Sequence, residues 1–357
     1  MMGLHQERQI RYNVIDYISD GGALLSVSIA QIAKHCGVST ATVSRVLNQS
    51  DKVTASTREK IMQAIEELGY SPNQAARNLR TQSTKMIGVI IPHDTEYIFN
   101  YPYFSIFLRE LSKNLSIHHY YPILTTDQPG SHPLDSYRTF LNRKIVDAFL
   151  LLDIQDEDER VIYLQQRKAK FVVVGRPKSF TDLIYIDTDN EMGGYMGARY
   201  LLQKGYRRIL FINGPRAQSV STWRMKGFFR AHEEAKLPVH KDLIRYGDFL
   251  EKSGFQIVQS ITSRFDAVFA ASDLMAMGAI QALRERNTLC PVMGYDDVPM
   301  AATFNPTLST VAQPIDQVGR LAAREIIHLV EKNQAQSQLL PISLVLRQST
   351  EEDPTRT

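Results

Sequence analysis

Six short apolar runs, separated by helical patterns, limit what this chain can fold into. They are MIGVIIP (86–92), YYPILTT (120–126), VDAFLLL (146–152), KFVVVG (170–175), RRILFING (207–214) and DAVFAA (266–271). A strand with one wet face alternates apolar and polar residues, whereas a nearly continuous apolar run needs cover on both faces. Runs of this kind followed by helical patterns read as parallel sheets with helices on either side. The stretch 86–350 is too long for one doubly wound unit and long enough for two. Its ligand site is then expected in the crevice between them.

Residues 27–71 follow a different rule. The spacing predicts three short helices and no strand. The first opens at Ser28, with Gln31 three residues on as a capping box, and turns its apolar face inward through Ile29, Ile32, Ala33 and Cys36. Gly37 permits a tight turn. The second helix has Ser39 as N-cap and buries Val43, Val46 and Leu47. The third is expected to open at Ser56 with Glu59 as a second capping box, to bury Ile61, Ala64, Ile65 and Leu68, and to stop at Gly69. Two helices joined by a glycine turn and braced by a third form a helix-turn-helix unit.

The second helix, STATVSRVL, is filled with small hydroxylated residues, which are poor helix formers because their hydroxyls compete for backbone hydrogen bonds. A helix lying in the DNA major groove needs such a surface: small enough to approach and polar enough to bond base edges. Thr40 and Ala41 stand at its N-terminal end, where bases are read. Ser39, Thr42 and Ser44 reach phosphates. Arg45 is long enough for a guanine edge or a phosphate. Net charge is only +3 over the whole chain, yet residues 27–82 carry seven Lys and Arg against four Asp and Glu, so the excess sits on this small head.

Residues 72–85 begin with Pro72 in the first turn of SPNQAARNL, and the TQST stretch limits the helix to about Leu79. So short a helix is marginal alone in water. Ahead of the head, residues 1–26 form a charged extension in which Ile10, Val14 and Ile18 fit one amphipathic helix, with no apolar core of a secretion signal. Cys36 and Cys290 have no near partner, which fits a reducing cytosol, and no run is long and apolar enough to span a membrane. The expected division is thus an extension (1–26), a helix-turn-helix domain (27–71), a hinge helix and linker (72–85), a two-unit ligand-binding and dimerisation domain (86–350) and a tail (351–357).

The stretch from Val27 to Leu79, VSIAQIAKHCGVSTATVSRVLNQSDKVTASTREKIMQAIEELGYSPNQAARNL, resembles the N-terminus of the LacI/GalR family of bacterial repressors. IGVIIP, IDTDNEMGG, RRILFINGP, FAASDLMAMGAI, GYDDVPMA and LSTVAQP continue the resemblance through the body. It implies a dimeric transcription factor on a pseudo-palindromic operator, with a body like periplasmic sugar-binding proteins: two doubly wound parallel-sheet subdomains joined by crossing strands. A small effector, of sugar type, sits between them and changes their orientation, and with it two hinge helices in the minor groove. Leu79 falls at the family's intercalating leucine, a wedge that unstacks one base step. Ser28, Asn48, Lys52, Asn73 and Ala76 complete the implied DNA face. No cofactor and no metal are implied.

The same resemblance transfers the effector site. Arg224 in STWRMKGF matches an arginine that bonds effector hydroxyls or carboxylates, and Asp296 in GYDD an acid that accepts hydroxyl bonds. Ser272 in AASD falls where a polar side chain lines the pocket. Phe249 in YGDF, and Tyr103 and Phe104 in NYPYF, match aromatic walls. The chain departs from the pattern at Cys36, where alanine is usual, and at Thr222, which replaces an arginine or polar contact of some members. It also departs in a longer HDTEYIFNY loop (93–101) and in a shorter segment between Arg286 and Gly294.

Two other classes fit less well. A dinucleotide enzyme needs Gly-x-Gly-x-x-Gly after its first strand, where this chain has IIPHDTEY, and no nucleophile elbow, HExxH or P-loop occurs. A secreted solute receptor lacks a reason for the head. Within the repressor reading, a purine or nucleoside co-repressor is the alternative to a sugar.

Overall fold

The computed structural model describes residues 27–47, 50–70, 83–92, 95–126, 130 and 132–351. The extension 1–26, Asn48, and Asn73, Ala76 and Leu79 of the hinge segment lie outside the described residues. The chain divides into two compact units, Met1–Gln82 and Ser83–Thr357.

The head is three helices, α1 (Ile29–Cys36), α2 (Thr40–Leu47) and α3 (Ala55–Glu67). Ile32, Ala33, Cys36, Val43, Val46, Ile61 and Ala64 close its core, with Ile29, Leu47, Ile65 and Leu68 at the edge. The Ser28/Gln31 capping box forms, and Gly37 takes φ +62°, the left-handed conformation that only glycine adopts without strain. The expected box at Ser56 does not form. α3 starts two residues earlier with Thr54 as N-cap, and the Thr54 and Thr57 hydroxyls lie 2.9 Å apart. Thr54 is the earlier residue able to leave helical geometry, so the chain enters the helix there.

The body holds two six-stranded sheets. The first lobe has order β11-β5-β4-β3-β1-β2, made of β1 (Met86–Ile91), β2 (Tyr121–Thr126), β3 (Ala148–Leu151), β4 (Phe171–Val174), β5 (Tyr185–Thr188) and β11 (Gln338–Leu340), all parallel. The second has order β12-β10-β9-β8-β6-β7, from β6 (Ile209–Asn213), β7 (Ile244–Tyr246), β8 (Ala267–Ala270), β9 (Val292–Asp296), β10 (Ser309–Ala312) and β12 (Ser343–Val345). It is parallel except for the β10–β12 pair. One apolar run departs from expectation. YYPILTT becomes β2, an edge strand with Tyr121 and Leu124 exposed, and Pro122 suits an edge because it cannot donate to a ladder.

The chain crosses between lobes three times: after β5, after β10, and between β11 and β12. The crossings are tied together. The Thr188 hydroxyl donates to Gln313 Oε1 at 2.5 Å, and the Asp189 N–H donates to the Leu340 carbonyl at 2.9 Å. Residues 83–85, expected in the linker, belong to the body. The Ser83 hydroxyl, the Thr84 N–H and hydroxyl, and the Lys85 N–H all donate to the Asp147 carboxylate at 2.6–3.0 Å.

Candidate DNA interface and effector cleft

On the head, the outer face of α2 carries the polar set expected from the sequence. Ser39, Thr40, Ala41 and Arg45 are exposed, Thr42 and Ser44 are half-buried, and Lys52 is exposed on the loop after the helix. The Ser39 hydroxyl accepts the Thr42 N–H at 3.1 Å and lies 2.9 Å from the Thr42 hydroxyl, so Ser39 caps the helix with Thr42 braced against it. Ser28 is engaged in its capping box. Arg58 donates to the Ser50 carbonyl at 2.7 Å, which ties that loop to α3.

In the body, the cleft is built from segments just beyond the carboxyl ends of the parallel strands, where doubly wound sheets place ligands. β3 delivers Leu152 and Asp153, β4 Gly175, β5 Asp187, β6 Gln218 and Arg224, β7 Phe249, and the crossing after β10 Gln313. With Tyr101, Tyr103 and Phe104 they enclose a cavity of about 50 Å³. Two residues at the cleft, one on its wall and one behind the wall, are held at backbone cost. Phe249 has φ +70° and Asp296 φ +116°, regions that side chains other than glycine's rarely occupy. Strain of this kind, of order 1–3 kcal/mol each, persists where surrounding structure over-determines it, commonly at ligand sites.

Arg224 is 3% exposed and fully engaged. Its Nε donates to Asn190 Oδ1 at 2.8 Å, its Nη1 to the Ala271 carbonyl, and its Nη2 lies 3.8 Å from Asp296 Oδ1. The guanidinium sits 3.7 Å over the Tyr295 ring. Asp296 lies behind it, not on the cavity wall. Its Oδ2 accepts the Tyr101 hydroxyl at 2.7 Å and its Oδ1 the Gln313 amide at 2.6 Å. Burial raises the Asp296 pKa to about 6, against the pull of Arg224 and these two donors. Burial likewise raises Asp187 to about 7, although its Oδ1 accepts from Thr188 N and Asn190 Nδ2. Asp187 Oδ2 and Gln218 Oε1 are buried without a hydrogen-bond partner, and both residues line the cavity. The site therefore offers acceptors that want donors, beside aromatic faces.

The resemblance-based set is thus partly gathered. Tyr103, Phe104, Arg224 and Phe249 line the cavity, and Asp296 is reached through Tyr101 and Gln313. Ser272 stands apart. It is the N-cap of the Asp273–Glu285 helix, accepting from Met275 N and donating to the Phe249 carbonyl at 2.8 Å, so it positions Phe249 instead of lining the pocket. Thr222 bonds Asp156 at 3.1 Å, also off the cavity. Sequence reading missed Tyr101, Asp187, Asn190, Gln218 and Gln313. For Asp187 and Asn190 a signal existed in IDTDN, a polar cluster directly after the apolar residues 183–186.

A helix-turn-helix head joined in one chain to a two-lobed body with a polar, aromatic-walled cleft defines a DNA-binding regulator that answers to a small molecule. The chain belongs to the lacI family of bacterial regulatory proteins: residues 28–73 match that family's head, and residues 198–350 match the periplasmic binding protein-like domain. It is 32% identical over 338 residues to the HTH-type transcriptional repressor PurR of Proteus mirabilis, covering 92% of this chain and 98% of that one. The solved transcriptional regulator CelR–cellobiose complex is 30% identical, with TM-score 0.71, over 90% of this chain and 99% of that one. The lac repressor dimer bound to operator and the anti-inducer ONPF aligns with TM-score 0.81 at 25% identity, over 91% and 99%. The protein is accordingly a transcriptional regulator, and among the described residues no helix is long and apolar enough to cross a membrane.

Proposed function

We propose that this protein is a cytoplasmic repressor, not an enzyme, that grips a pseudo-palindromic operator as a homodimer and loosens or tightens its hold when a carbohydrate-type effector enters the cleft. Thr40 and Ala41 read base edges, and Arg45 a guanine or a phosphate. Ser28, Ser39, Thr42, Ser44 and Lys52 position the head on the backbone, and Asn48, Asn73, Ala76 and Leu79 extend that contact through the loop and hinge. In the cleft, Arg224 and Asp296 hold effector hydroxyls, and Tyr103, Phe104 and Phe249 face its ring.

The observation that carries the effector class is the chemistry of the wall. Buried acceptors at Asp187 and Gln218, an arginine and several aromatic rings meet in one cavity. A polyhydroxylated ring offers hydroxyl donors to the first and C–H faces to the last. Cellobiose in the CelR complex is a ligand of that class.

The test is a duplex selected from random sequence by the full-length protein, then titrated by fluorescence anisotropy with and without sugars. A palindromic consensus, bound two chains per duplex, with affinity shifted by a sugar and unmoved by hypoxanthine is the expected result. Sequence-indifferent binding sinks the operator reading, and a response to hypoxanthine alone replaces the sugar.

A further inference from the structure

Two of the groups assigned to the effector, the Phe249 ring and the Asp296 carboxylate, are already taken by one side chain. Tyr101 lies in the first lobe, between the Thr95–Asn100 helix and the Pro102–Ile117 helix. Its ring stacks on Phe249 of the second lobe, centroids 6.1 Å apart and planes 12° from parallel. Its hydroxyl reaches past that ring to Asp296 Oδ2 at 2.7 Å. The remaining carboxylate oxygen, Oδ1, is taken by Gln313. Tyr101 itself is 6% exposed.

A six-membered ring against an aromatic face, with a hydroxyl on an acid, is what a hydroxylated ring ligand would present to this cleft. The space left beside Tyr101 is about 50 Å³, whereas small-molecule sites occupy roughly 300 Å³ or more. A ligand hydroxyl reaches Asp296 Oδ2 only where the Tyr101 hydroxyl now is. Tyr101 directly follows the Thr95–Asn100 helix; its backbone N–H is held by the Tyr97 carbonyl and its carbonyl accepts the Phe104 N–H, each at 3.1 Å. These bonds and its contacts with Tyr97, Tyr103 and Phe104 all lie in the first lobe, so Tyr101 stays with that lobe when it parts from Phe249 and Asp296.

We propose that Tyr101 is a built-in occupant of the effector site: a phenol that latches the two lobes and that the effector must displace. This rests on the effector reading above and adds to it. The effector's leading end is a ring bearing a hydroxyl, and its measured affinity is lowered by the cost of evicting Tyr101, as for any ligand whose competent state is a minor one.

The experiment uses the full-length protein with Tyr101→Gly and Tyr101→Phe. Glycine is tolerated at a helix N-cap, and 4-methylphenol is the side chain it removes. The expected result has three parts. First, 4-methylphenol binds Tyr101→Gly and not the wild type, and about tenfold more tightly than toluene, which lacks the hydroxyl for Asp296. Second, cellobiose binds Tyr101→Gly about tenfold or more tighter than wild type, and binds Tyr101→Phe tighter by a smaller factor. Third, cellobiose expels 4-methylphenol. If Tyr101→Gly does not fold, the Tyr101→Phe comparison decides alone. Cellobiose that binds wild type but gains nothing in either variant, or binds alongside 4-methylphenol, overturns the occupant and leaves the effector reading standing. A panel of sugars, cellobiose among them, of which none binds any of the three proteins while 4-methylphenol fills the hole refutes the carbohydrate reading, and the displacement proposal with it.

Discussion

Asp187 is buried at the end of β5 with one oxygen unpaired, so its charge has a measurable price in pH. Burial raises its pKa to about 7, opposed by the Thr188 N–H and by the charges of Arg176 and Arg224. An unfolded aspartate titrates near ~3.9. Between the two values the folded state holds a proton that the unfolded state has lost. Stability is therefore full below about pH 4, falls as pH rises toward 7, and levels off above it. Three pH units correspond to at most about 4 kcal/mol. Asp187→Asn keeps the Oδ1 contacts and removes the titration. The variant should gain on wild type in melting temperature from pH 5 to pH 8, and parallel curves over that range would exclude Asp187 as the source. Buried His232, whose pKa is lowered by burial, tilts both proteins the other way at acid pH and cancels in the difference. The residues that sequence alone could reach, Arg224, Asp296, Phe249, Tyr103 and Phe104, sit in local motifs. Asp187 and Asn190 left only the polar IDTDN cluster as a signal, and Gln218 and Gln313 left none, because they become neighbours only where separate strands end side by side. Ser272 shows the converse: a helix cap and a ligand-binding serine look alike in sequence.

Two helices carry Asn190 and Arg224, and their closeness sets the bond between those side chains. Asn190–Gln203 and Ser219–Glu234 pack so tightly that a Cβ on Gly194 would lie 2.0 Å from the Arg224 carbonyl, and one on Gly227 1.9 Å from the Glu191 carbonyl. Both obstacles are backbone, so the helices themselves must part. Gly227→Ala should cost about 1–3 kcal/mol in chemical denaturation, the range for overpacking. It should also weaken effector binding, because the Arg224 Nε–Asn190 bond of 2.8 Å lengthens as the helices separate. A variant with wild-type stability and wild-type ligand affinity would show that the pair can slide without moving the site. At this scale much was legible. All six apolar runs became strands, since continuous apolar sequence has few other uses. β7, β11 and β12 escaped because three-residue strands give periodicity nothing to act on, β5 and β9 because they end in polar residues that interrupt the apolar run, and β10 because it opens on Ser309 and Thr310.

For the whole molecule, the question is how a ligand in the body reports to DNA at the head. The body offers a jointed element: two lobes joined by three crossings that are pinned to one another through Thr188–Gln313 and Asp189–Leu340. Gln313 also bonds Asp296, so the carboxylate assigned to the effector and the hinge between lobes share one side chain. A displacement of Asp296 by a ligand would then pull on a crossing through a single side chain. Thermodynamics then fixes the form of the result. If effector changes operator affinity by some factor, operator must change effector affinity by the same factor, typically about 5–150-fold in coupled systems. Gln313→Leu keeps a comparable volume, removes both bonds, and leaves the head's sequence untouched. Its operator affinity in the absence of effector should stay within a few-fold of wild type, with an unchanged salt slope, because phosphate contacts belong to the head. The coupling factor should shrink toward one, and it should shrink equally whether read as effector acting on operator or as operator acting on effector. Arg45→Ala should do the reverse. It should weaken the operator complex, and lower the salt slope by about one if Arg45 contacts a phosphate, while effector affinity in the free protein stays put. A Gln313→Leu protein that keeps full coupling would remove the crossings from the route and require the lobes to communicate with the head by another path.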